Sequence, residues 1–433
     1  MTVNAIIAEY NPLHKGHEYL IHEGKKQTGA DITIVVMSGD FVERGEPAIM
    51  NKYLRSECAV LSGADLVLEL PTYYALSSAE NFAYGAVALL DSLGVVDNLI
   101  FGCEFDNVEL LKDIAYIALN NKERYDELIK EYTSNGLSYA KAEATAVKTI
   151  LSENTDAKYL EIENYSEDEL NTILSSPNTT LAICYIRALI ERDSAIEPVA
   201  IKRIISDYND LSLGALSASA VRKELIDENY NILSEQLSPL ALDIIKQELG
   251  VSLPVSIDDY SSILIYKLRT IILGIGSGTK ASSILALTEY ADVSEALASR
   301  IVNNINEFRS FSQFIALLKT KNMTYAHISR ALMHIVLNIK KSNLNKYIAN
   351  DYSLYARILA FKKESSDIFN LIKKYSSVPL VSKLADCDIQ VDDPLKQKLI
   401  NENTFASELY ESIVSQKFNS EMIPEYSRPI SII

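Results

Sequence analysis

The chain has 433 residues, of which 48% are hydrophobic and 23% are charged, and its net charge is −17. This is ordinary globular composition for two or three domains, with a core large enough to fold without metal or disulfide staples. No apolar run approaches the ~18–20 residues of a membrane-spanning helix, and the N-terminus lacks the basic leader of a signal peptide. The acidic balance argues against nucleic-acid binding by the chain as a whole.

The four cysteines are Cys58, Cys103, Cys184 and Cys387, and no two of them form a CxxC pair. This spacing does not suit a zinc site and favours reduced, mostly buried thiols. Because reduced thiols persist in a reducing compartment, we expect a cytoplasmic protein.

Apolar, β-branched segments alternate with helical patterns near the N-terminus. Helices are predicted to start near Lys15 and to cover 51–62 and 77–93. Continuous apolar strands between helices predict an α/β fold, Rossmann-like, with a parallel sheet covered on both faces. The strands are predicted at 3–10, 31–38, 65–71, 98–102 and 197–203.

The remaining chain has mainly helical periodicity. Residues 107–195 predict a helical insertion ahead of the last strand, and strand signals are scarce after about residue 225. We therefore predict two domains: residues 1–235, which contain the sheet, and residues 236–433, which are mainly α-helical.

The charge is unevenly distributed along the chain. Residues 301–385 contain thirteen Lys and Arg against four acidic residues, a net charge of +9, which leaves −26 for the other residues. A basic block in an acidic chain indicates a polyanion-binding surface, although a solvated helical face has the same composition. The candidates are Arg330, Lys340, Lys341, Arg357, Lys362, Lys363, Lys373 and Lys374.

The first predicted strand leads into the motif His14-Lys15-Gly16-His17 at a helix start. Ligands of open parallel sheets bind at the carboxyl ends of strands, and helix N-termini suit phosphate. The two imidazoles share a helix face and can donate hydrogen bonds to phosphate oxygens, while Gly16 leaves room for a nucleotide. The alternative is a pair of capping or core histidines. His22, a further turn along, is expected to be structural.

A second motif, LSASAVRKEL at 216–225, places Ser217, Ser219 and Arg222 at another predicted helix start. Hydroxyl groups there can cap the helix and contact phosphates, and an arginine supplies a fork for the β- and γ-phosphates. The alternative is an ordinary serine cap beside a surface arginine.

The two motifs resemble the HxGH and ISSTxIR-type signatures of the HIGH-type nucleotidyltransferase superfamily. Longer stretches are similar to the bacterial tRNA(Met) cytidine acetate ligase family, and the resemblance spans nearly the full length. It implies that the protein activates acetate with ATP and passes the acetyl group to the wobble cytidine of elongator tRNA(Met), giving N4-acetylcytidine. The stretches include MSGDFVERGEPAIMNKYLRSECAVLSGADLVLELP (37–71), SSAENFAYGAVALLDSLGVVDNLIFGCE (77–104), SSPNTTLAICYIRAL (175–189) and YARILAFKKESSDIFNLIKKYSSVPLVSK (355–383).

The resemblance also implies site residues. His14, His17 and Arg222 are the expected catalytic residues, and the +9 block is expected to hold the tRNA. The expected ATP-binding residues are Ile7, Ala8, Glu9, Tyr10, Asn11, Pro12, Leu13, His14, Lys15, Gly16, His17, Glu18, Tyr19, Leu20, Gly102, Asn178, Arg203, Ser217 and Ser219. The expected acetate or phosphate contacts are Ser38, Gly39, Arg44 and Lys52. Asn178 as a helix cap, and Arg203, Arg44 and Lys52 as solvated side chains, are the alternatives.

The loop after the second strand departs from the family pattern, because Asp40 and Glu43 replace amides. Extra negative charges beside a triphosphate are unfavourable. We therefore expect Glu43 to point outward and Asp40 to help bind a magnesium ion. The roles of Glu69, Glu80 and Glu104 stay open.

Two other functions remain possible at this point. A small-molecule adenylyltransferase of coenzyme synthesis would use the same motifs, but the +9 block would have no role in its activity. A non-catalytic RNA-binding protein on the same fold would bind tRNA without releasing pyrophosphate from ATP.

Overall fold

A computed structural model describes residues 1–153, 161–203, 217–274, 279–321, 323–386 and 392–433. Leu216 of the second motif and Cys387 lie outside these residues. The strands are β1 (Val3–Ala8), β2 (Ile32–Ser38), β3 (Phe41–Val42), β4 (Glu46–Pro47), β5 (Leu66–Leu70), β6 (Asn98–Cys103), β7 (Glu197–Lys202), β8 (Ala356–Phe361), β9 (Leu380–Val381) and β10 (Ser431–Ile432).

Helices cover most of the rest. The first half has α1 (Lys15–Thr28), α2 (Lys52–Leu61), α3 (Thr72–Ala75), α4 (Ala79–Leu93), α5 (Val108–Asn120), α6 (Lys122–Ser134), α7 (Tyr139–Glu153), α8 (Glu167–Leu174), α9 (Pro177–Glu191), α10 (Ala218–Ile226) and α11 (Tyr230–Gln236). The second half has α12 (Pro239–Glu248), α13 (Ser261–Leu273), α14 (Lys280–Leu287), α15 (Glu295–Asn304), α16 (Phe311–Leu318), α17 (Tyr325–Val336), α18 (Lys341–Ala349), α19 (Ile368–Tyr375) and α20 (Pro394–Phe418).

The main sheet has the strand order β10-β8-β5-β2-β1-β6-β7, with β9 beside β8. The five strands from β5 to β7 in that order are parallel, and Ile6 pairs with both Val35 and Ile100. The predicted strands, the parallel sheet and the helical insertion before β7 are therefore confirmed.

Apolar side chains cover both faces of the sheet. Alternate residues of a strand point to opposite faces, so Ile6 and Val35 pack with Ile21 of α1 in one core cluster. Ala5 and Ile34 belong to a second cluster with α4, α5 and α9. At ~25 cal/mol per Å² of buried apolar surface, this double covering is the main stabilisation of the sheet, and it fixes where the carboxyl ends of β1, β6 and β7 lie.

The second half of the chain is mainly helical, as predicted, but it also completes the sheet. β8 pairs antiparallel with β5, and both β9 and β10 pair parallel with β8. The prediction missed β8 because Arg357 interrupts its apolar run; the structure buries this arginine at 1% exposure. Since these strands join the sheet of the first half, the division into domains at 235/236 stays a prediction.

Cys58, Cys103 and Cys184 are free and buried, as predicted for these three. Within the described ranges, no single helix is long and apolar enough to cross a membrane, and α8 with α9 passes that test only as a pair bent by 91°.

Candidate active site

A cavity of about 1330 Å³ lies over the carboxyl ends of β1, β6 and β7. Its walls come from the loop before α1, the first turns of α7, α9 and α10, and the tip of the β3–β4 hairpin. Many predicted site residues therefore meet at one place. They are Ile7, Ala8, Glu9, Tyr10, Asn11, His14, Lys15, Gly16, His17, Tyr19, Leu20, Arg44, Gly102, Asn178, Arg203 and Ser217.

His14 and His17 form a reciprocal cap at the start of α1. Nδ1 of His14 accepts a hydrogen bond from the Gly16 amide at 3.1 Å, and Nδ1 of His17 accepts one from the His14 amide at 3.2 Å. Because a backbone amide only donates, both Nδ1 atoms are unprotonated, and each neutral ring carries its proton on Nε2. Neither Nε2 has a hydrogen-bond partner among the described residues, so each presents a free donor at the cavity wall.

Burial keeps both rings neutral. It lowers the pKa of His14 to about 4, with a smaller contribution from the Arg203 charge. Burial also holds the pKa of His17 well below its usual range, with His14 and Arg203 adding to the effect. The rings stack with centroids 3.8 Å apart. The alternative of capping histidines is thus true of their Nδ1 atoms, while their Nε2–H groups stay available for an anion.

Tyr10 supplies a further unpaired polar group beside these rings. Its backbone has a φ of 48°, unusual for a residue other than glycine. Its ring meets the edge of His17 at 5.0 Å. Its buried hydroxyl has no hydrogen-bond partner within the described part of the chain. A ligand that accepts a hydrogen bond would satisfy it.

Glu104 organises the opposite wall. Its carboxylate accepts hydrogen bonds from Ser176 Oγ and Asn178 Nδ2, and it lies 3.7 Å from Nε of Arg203. Ser176, not Asn178, is the N-cap residue of α9, so the alternative role of Asn178 as a cap is wrong. Glu104 thereby holds an amide and a guanidinium at the cavity, a role that the sequence left open.

Gly102 leaves the wall of the cavity open next to Arg203. A Cβ atom there would lie 3.4 Å from Cγ of Arg203, which is ordinary contact, so Arg203 does not itself require a glycine. The missing side chain nevertheless leaves room for a nucleotide to approach the backbone.

Arg222 and Ser219 are close to the site but do not border the cavity. Nη1 of Arg222 donates to the carbonyl oxygen of Asn11 at 2.8 Å, and Nη2 donates to Ser219 Oγ at 3.2 Å. Ser217 caps α10 and faces the cavity. Arg222 thus pins the loop before α1, and its direct contact with phosphate stays a prediction. The predicted residues Pro12, Leu13 and Glu18 also lie outside the cavity wall.

The loop after β2 does not serve the cavity as predicted. Lys52 Nζ lies 2.8 Å from Glu69 Oε1 and 2.6 Å from Glu425 Oε1, with all three side chains buried. Asp40 accepts from the Lys52 amide at 2.8 Å. Because a buried charge must be paired, Lys52 is committed to these carboxylates, and its predicted contact with acetate or phosphate is wrong.

Three further predictions in this loop are wrong because the residues do not border the cavity. Ser38 and Asp40 are buried, and a Cβ on Gly39 would lie 2.7 Å from Glu69 Oε1, away from the cavity. Asp40 is therefore not placed to bind magnesium, and no cluster of three or more potential metal ligands occurs among the described residues. Arg44 alone of this group is exposed at the cavity.

Glu43 borders the cavity, but its carboxylate is paired with an arginine that does not, so its predicted outward orientation stays a prediction. Its carboxylate pairs with Arg330 at 2.9 Å, and Arg330 also contacts Asp292 at 3.1 Å. This pairing compensates the negative charge that the family pattern lacks, and it joins the β3–β4 hairpin to α17. Gly45 at φ 85° makes this packing possible, because a Cβ there would lie 2.3 Å from the amide nitrogen of Arg330.

Comparisons with known proteins agree with this geometry. The family model HIGH Nucleotidyl Transferase matches residues 1–424. The tRNA(Met) cytidine acetate ligase of Thermoanaerobacter sp. (strain X514) is 36% identical over 413 residues, 95% of this chain and 94% of the relative. That of Clostridium perfringens (strain SM101 / Type A) is 35% identical over 430 residues, 98% of each chain. The chain belongs to the tRNA(Met) cytidine acetate ligase family. The resemblance drawn from the motifs is thus confirmed.

Solved structures of the family have the same fold. Thermotoga maritima TmcAL bound with alpha-thio ATP matches with a TM-score of 0.83 at 25% identity, and the apo form matches with 0.86 at 27% identity. Each match covers 100% of both chains.

The basic segment of this family member divides into paired and exposed side chains. Arg357 is buried, Arg330 is paired, and Lys340 lies 3.1 Å from Glu289 and over the ring of Tyr290. Arg357 is therefore not placed to contact tRNA, while the predicted tRNA contacts of Arg330 and Lys340 stay predictions. The exposed candidates are Lys341, Lys362, Lys363, Lys373 and Lys374.

Lys362, Lys363, Lys373 and Lys374 lie near the amino ends of the parallel strands, opposite the cavity at their carboxyl ends. Because β8 is antiparallel, its carboxyl end meets the amino ends of the parallel strands, and the Lys362 amide donates to the Asp65 carbonyl just before β5. Lys373 and Lys374 end α19, which is followed by Ser377 bonded to the Ser92 carbonyl ahead of β6. A tRNA on these lysines must therefore span the roughly 15–20 Å length of the strands to reach the cavity.

Sequence reasoning missed the contribution of the helical insertion. Tyr139, with 54% of its surface exposed, and Tyr185 border the cavity from α7 and α9. Helical periodicity indicates only that these helices pack; it carries no signal for which turn reaches the ends of β1 and β6. Glu104, whose role the sequence left open, has a positional signal, because it comes directly after a strand end.

Proposed function

We propose that this protein is an ATP-dependent tRNA(Met) cytidine acetate ligase, which works in the cytoplasm with its tRNA. The observation that carries the proposal is the pair of neutral histidines with free Nε2–H donors at the N-terminus of α1, in a chain of this family. The cavity of about 1330 Å³ exceeds the ~300–1,000 Å³ common for one small ligand. It therefore supports a site that holds a nucleotide and a second substrate together.

The first step is proposed to form acetyl-adenylate. A carboxylate oxygen of acetate attacks the α-phosphorus of ATP, the new O–P bond forms, and pyrophosphate leaves with the electrons of the bond that breaks. His14 and His17 donate Nε2–H bonds to the α-phosphate, and the first amides of α1 add the positive end of the helix dipole. Because the rings are neutral, they donate hydrogen bonds through Nε2–H without first gaining a second proton, and no proton has to be removed from them afterwards.

The adenosine part of ATP is proposed to lie along the wall formed by Gly102, Asn178 and Arg203. Glu104 fixes the amide of Asn178 and the guanidinium of Arg203, so the wall is preorganised before the nucleotide arrives. Magnesium is proposed to accompany ATP. The described residues offer no carboxylate cluster facing the cavity for it, so no step here depends on protein ligands to the metal.

In the second step the exocyclic amine of the wobble cytidine attacks the acetyl carbonyl carbon, and AMP leaves. Bases in single-stranded loops can be unstacked and presented in this way. Tyr139, exposed at the rim of the cavity, is available for stacking in a chain without tryptophan.

The test is an incubation of the protein with unmodified tRNA(Met), ATP and labelled acetate, followed by mass spectrometry of the nucleosides. We expect N4-acetylcytidine that requires both ATP and acetate and is absent when the wobble base is uridine. His17→Ala should lower acetate-dependent pyrophosphate release by about 10²–10³-fold. His22→Ala, an exposed ring on the same helix, should leave it unchanged. Pyrophosphate release with a small-molecule acceptor only, or tRNA binding without release, would contradict the proposal.

A further inference from the structure

Glu9 belongs to the segment predicted to bind ATP, but phosphate binding does not explain its carboxylate. It follows β1, borders the cavity and accepts a hydrogen bond from the Glu43 amide on Oε1 at 2.7 Å. Its other oxygen, Oε2, has no hydrogen-bond partner among the residues that the structure describes. The Arg55 guanidinium holds the Glu9 carbonyl oxygen at 2.6 Å, so backbone and side chain are both fixed.

A carboxylate in this position cannot bind phosphate. An ionised carboxylate only accepts hydrogen bonds, and phosphate oxygens also accept, so the two repel. The donors proposed for the triphosphate are the Nε2–H groups of His14 and His17. Glu9 and Tyr185 both border this cavity, where burial raises the pKa of Tyr185 and the charges of Glu9 and Glu43 help to raise it.

We infer that Glu9 is the general base of the acetyl-transfer step, an inference that rests on the proposed function. As the N4 amine of the cytidine forms its bond to the acetyl carbon, Oε2 of Glu9 takes one N4 proton. The bond between the acetyl carbon and the phosphate oxygen breaks, and AMP leaves with that electron pair. The proton then passes from Glu9 to solvent when the product departs, so atoms and charge balance.

The groups around Glu9 suit this task. Burial raises the pKa of Glu9 to about 7, and the Glu43 charge adds to the rise, while the hydrogen bond from the Glu43 amide, Arg222 and Arg55 oppose it. Tyr185 from α9 also faces it. A base with a pKa near the working pH is the most effective proton acceptor that is still largely ionised. Below about pH 7 the carboxyl is protonated and cannot accept, so transfer should slow as the pH falls.

The competing role for Glu9 is only to hold the β3–β4 hairpin through the Glu43 amide. Glu9→Gln separates the two roles, because the amide oxygen can still accept that hydrogen bond while the proton acceptor is removed. A matched control is Glu23→Gln on α1, whose carboxylate contacts only Lys26 and Gln27 in the described structure.

The experiment measures the two steps separately. Acetate-dependent exchange of pyrophosphate into ATP reports the first step, and single-turnover transfer from the preformed acetyl-adenylate complex to tRNA(Met) reports the second. For Glu9→Gln we expect a transfer rate lowered by about 10²–10⁴-fold, and a much smaller change in exchange. The wild-type transfer rate should rise with pH to a plateau above about pH 7, and the variant should lose that dependence.

Other outcomes are decisive as well. Equal loss of both steps in Glu9→Gln, or normal transfer, would overturn the assignment. If the variant does not fold, the wild-type profiles decide: transfer must rise through about pH 7 while exchange does not, and the absence of that difference overturns it. If the wild type exchanges pyrophosphate but makes no N4-acetylcytidine, the proposed function itself fails, which is a separate result.

Discussion

Two segments follow neighbouring parallel strands, residues 9–14 after β1 and residues 39–52 after β2, and both carry polar side chains predicted to hold ATP or acetate. In the first, buried and neutral His14 is joined by the unpaired Tyr10 hydroxyl and the free Oε2 of Glu9 at the cavity. In the second, Asp40 and Lys52 lie inside the protein in a closed set of ion pairs. The polar groups of the first loop are available to a ligand because they border the cavity and keep unpaired atoms, whereas the charges of the second are already paired inside the protein.

The largest expected effect is a loss of stability when the buried ion pairs of Lys52 are removed. Lys52→Met removes the cation between buried Glu69 and Glu425 and leaves two uncompensated charges. We expect the free energy of unfolding to fall by about 3–5 kcal/mol, measured by urea denaturation. Lys26→Met, which removes an exposed pair with Glu23, should cost less than about 1 kcal/mol. Equal effects of the two changes would mean that the buried network is not structural.

The second prediction concerns the neutral histidines. The pKa of His14 is about 4 in the fold and about 6.5 in an unfolded chain. The unfolded chain therefore binds more protons between these values, so stability rises with pH across that window, by up to about 3 kcal/mol. Below about pH 4 His14 is protonated in both states, and its contribution to the dependence ends.

His14→Asn should reduce this dependence by the share of His14, because asparagine keeps the helix cap and does not titrate. Urea unfolding at pH 4.5 and pH 7 measures the slope. His22→Asn changes an exposed ring on the same helix and should preserve the wild-type slope. An unaltered slope in His14→Asn would show that the ring is not held neutral by the fold.

The comparison also explains what could be predicted. The five parallel strands and α1 are local: continuous apolar runs and the His14–His17 spacing specify them without knowledge of distant residues. The burial and ion pairing of Lys52 cannot be read from its neighbours in the sequence, because its partner Glu425 is near the other end of the chain and only folding brings them together. The same holds for β8, whose Arg357 looks like a surface residue until the sheet closes around it.

The smallest expected effect concerns the exposed lysines at the far edge of the sheet. Lys362→Ala with Lys363→Ala should weaken tRNA(Met) binding and lower the salt dependence of the affinity. The slope of log affinity against log salt concentration should fall in magnitude by about one for each lost lysine–phosphate contact. Acetate-dependent pyrophosphate exchange should not change, because these lysines sit a strand length away from the cavity.

The matched pair is Lys15→Ala with Arg44→Ala, two exposed cations at the rim of the cavity. This pair should impair presentation of the anticodon loop and therefore acetyl transfer, along with affinity. If the salt dependence follows only the rim pair, the tRNA does not cross the sheet, and the far-edge lysines are a solvated surface. Weaker binding with both pairs would instead mean that the tRNA extends along the strands, with its loop in the cavity and its stem against the opposite edge.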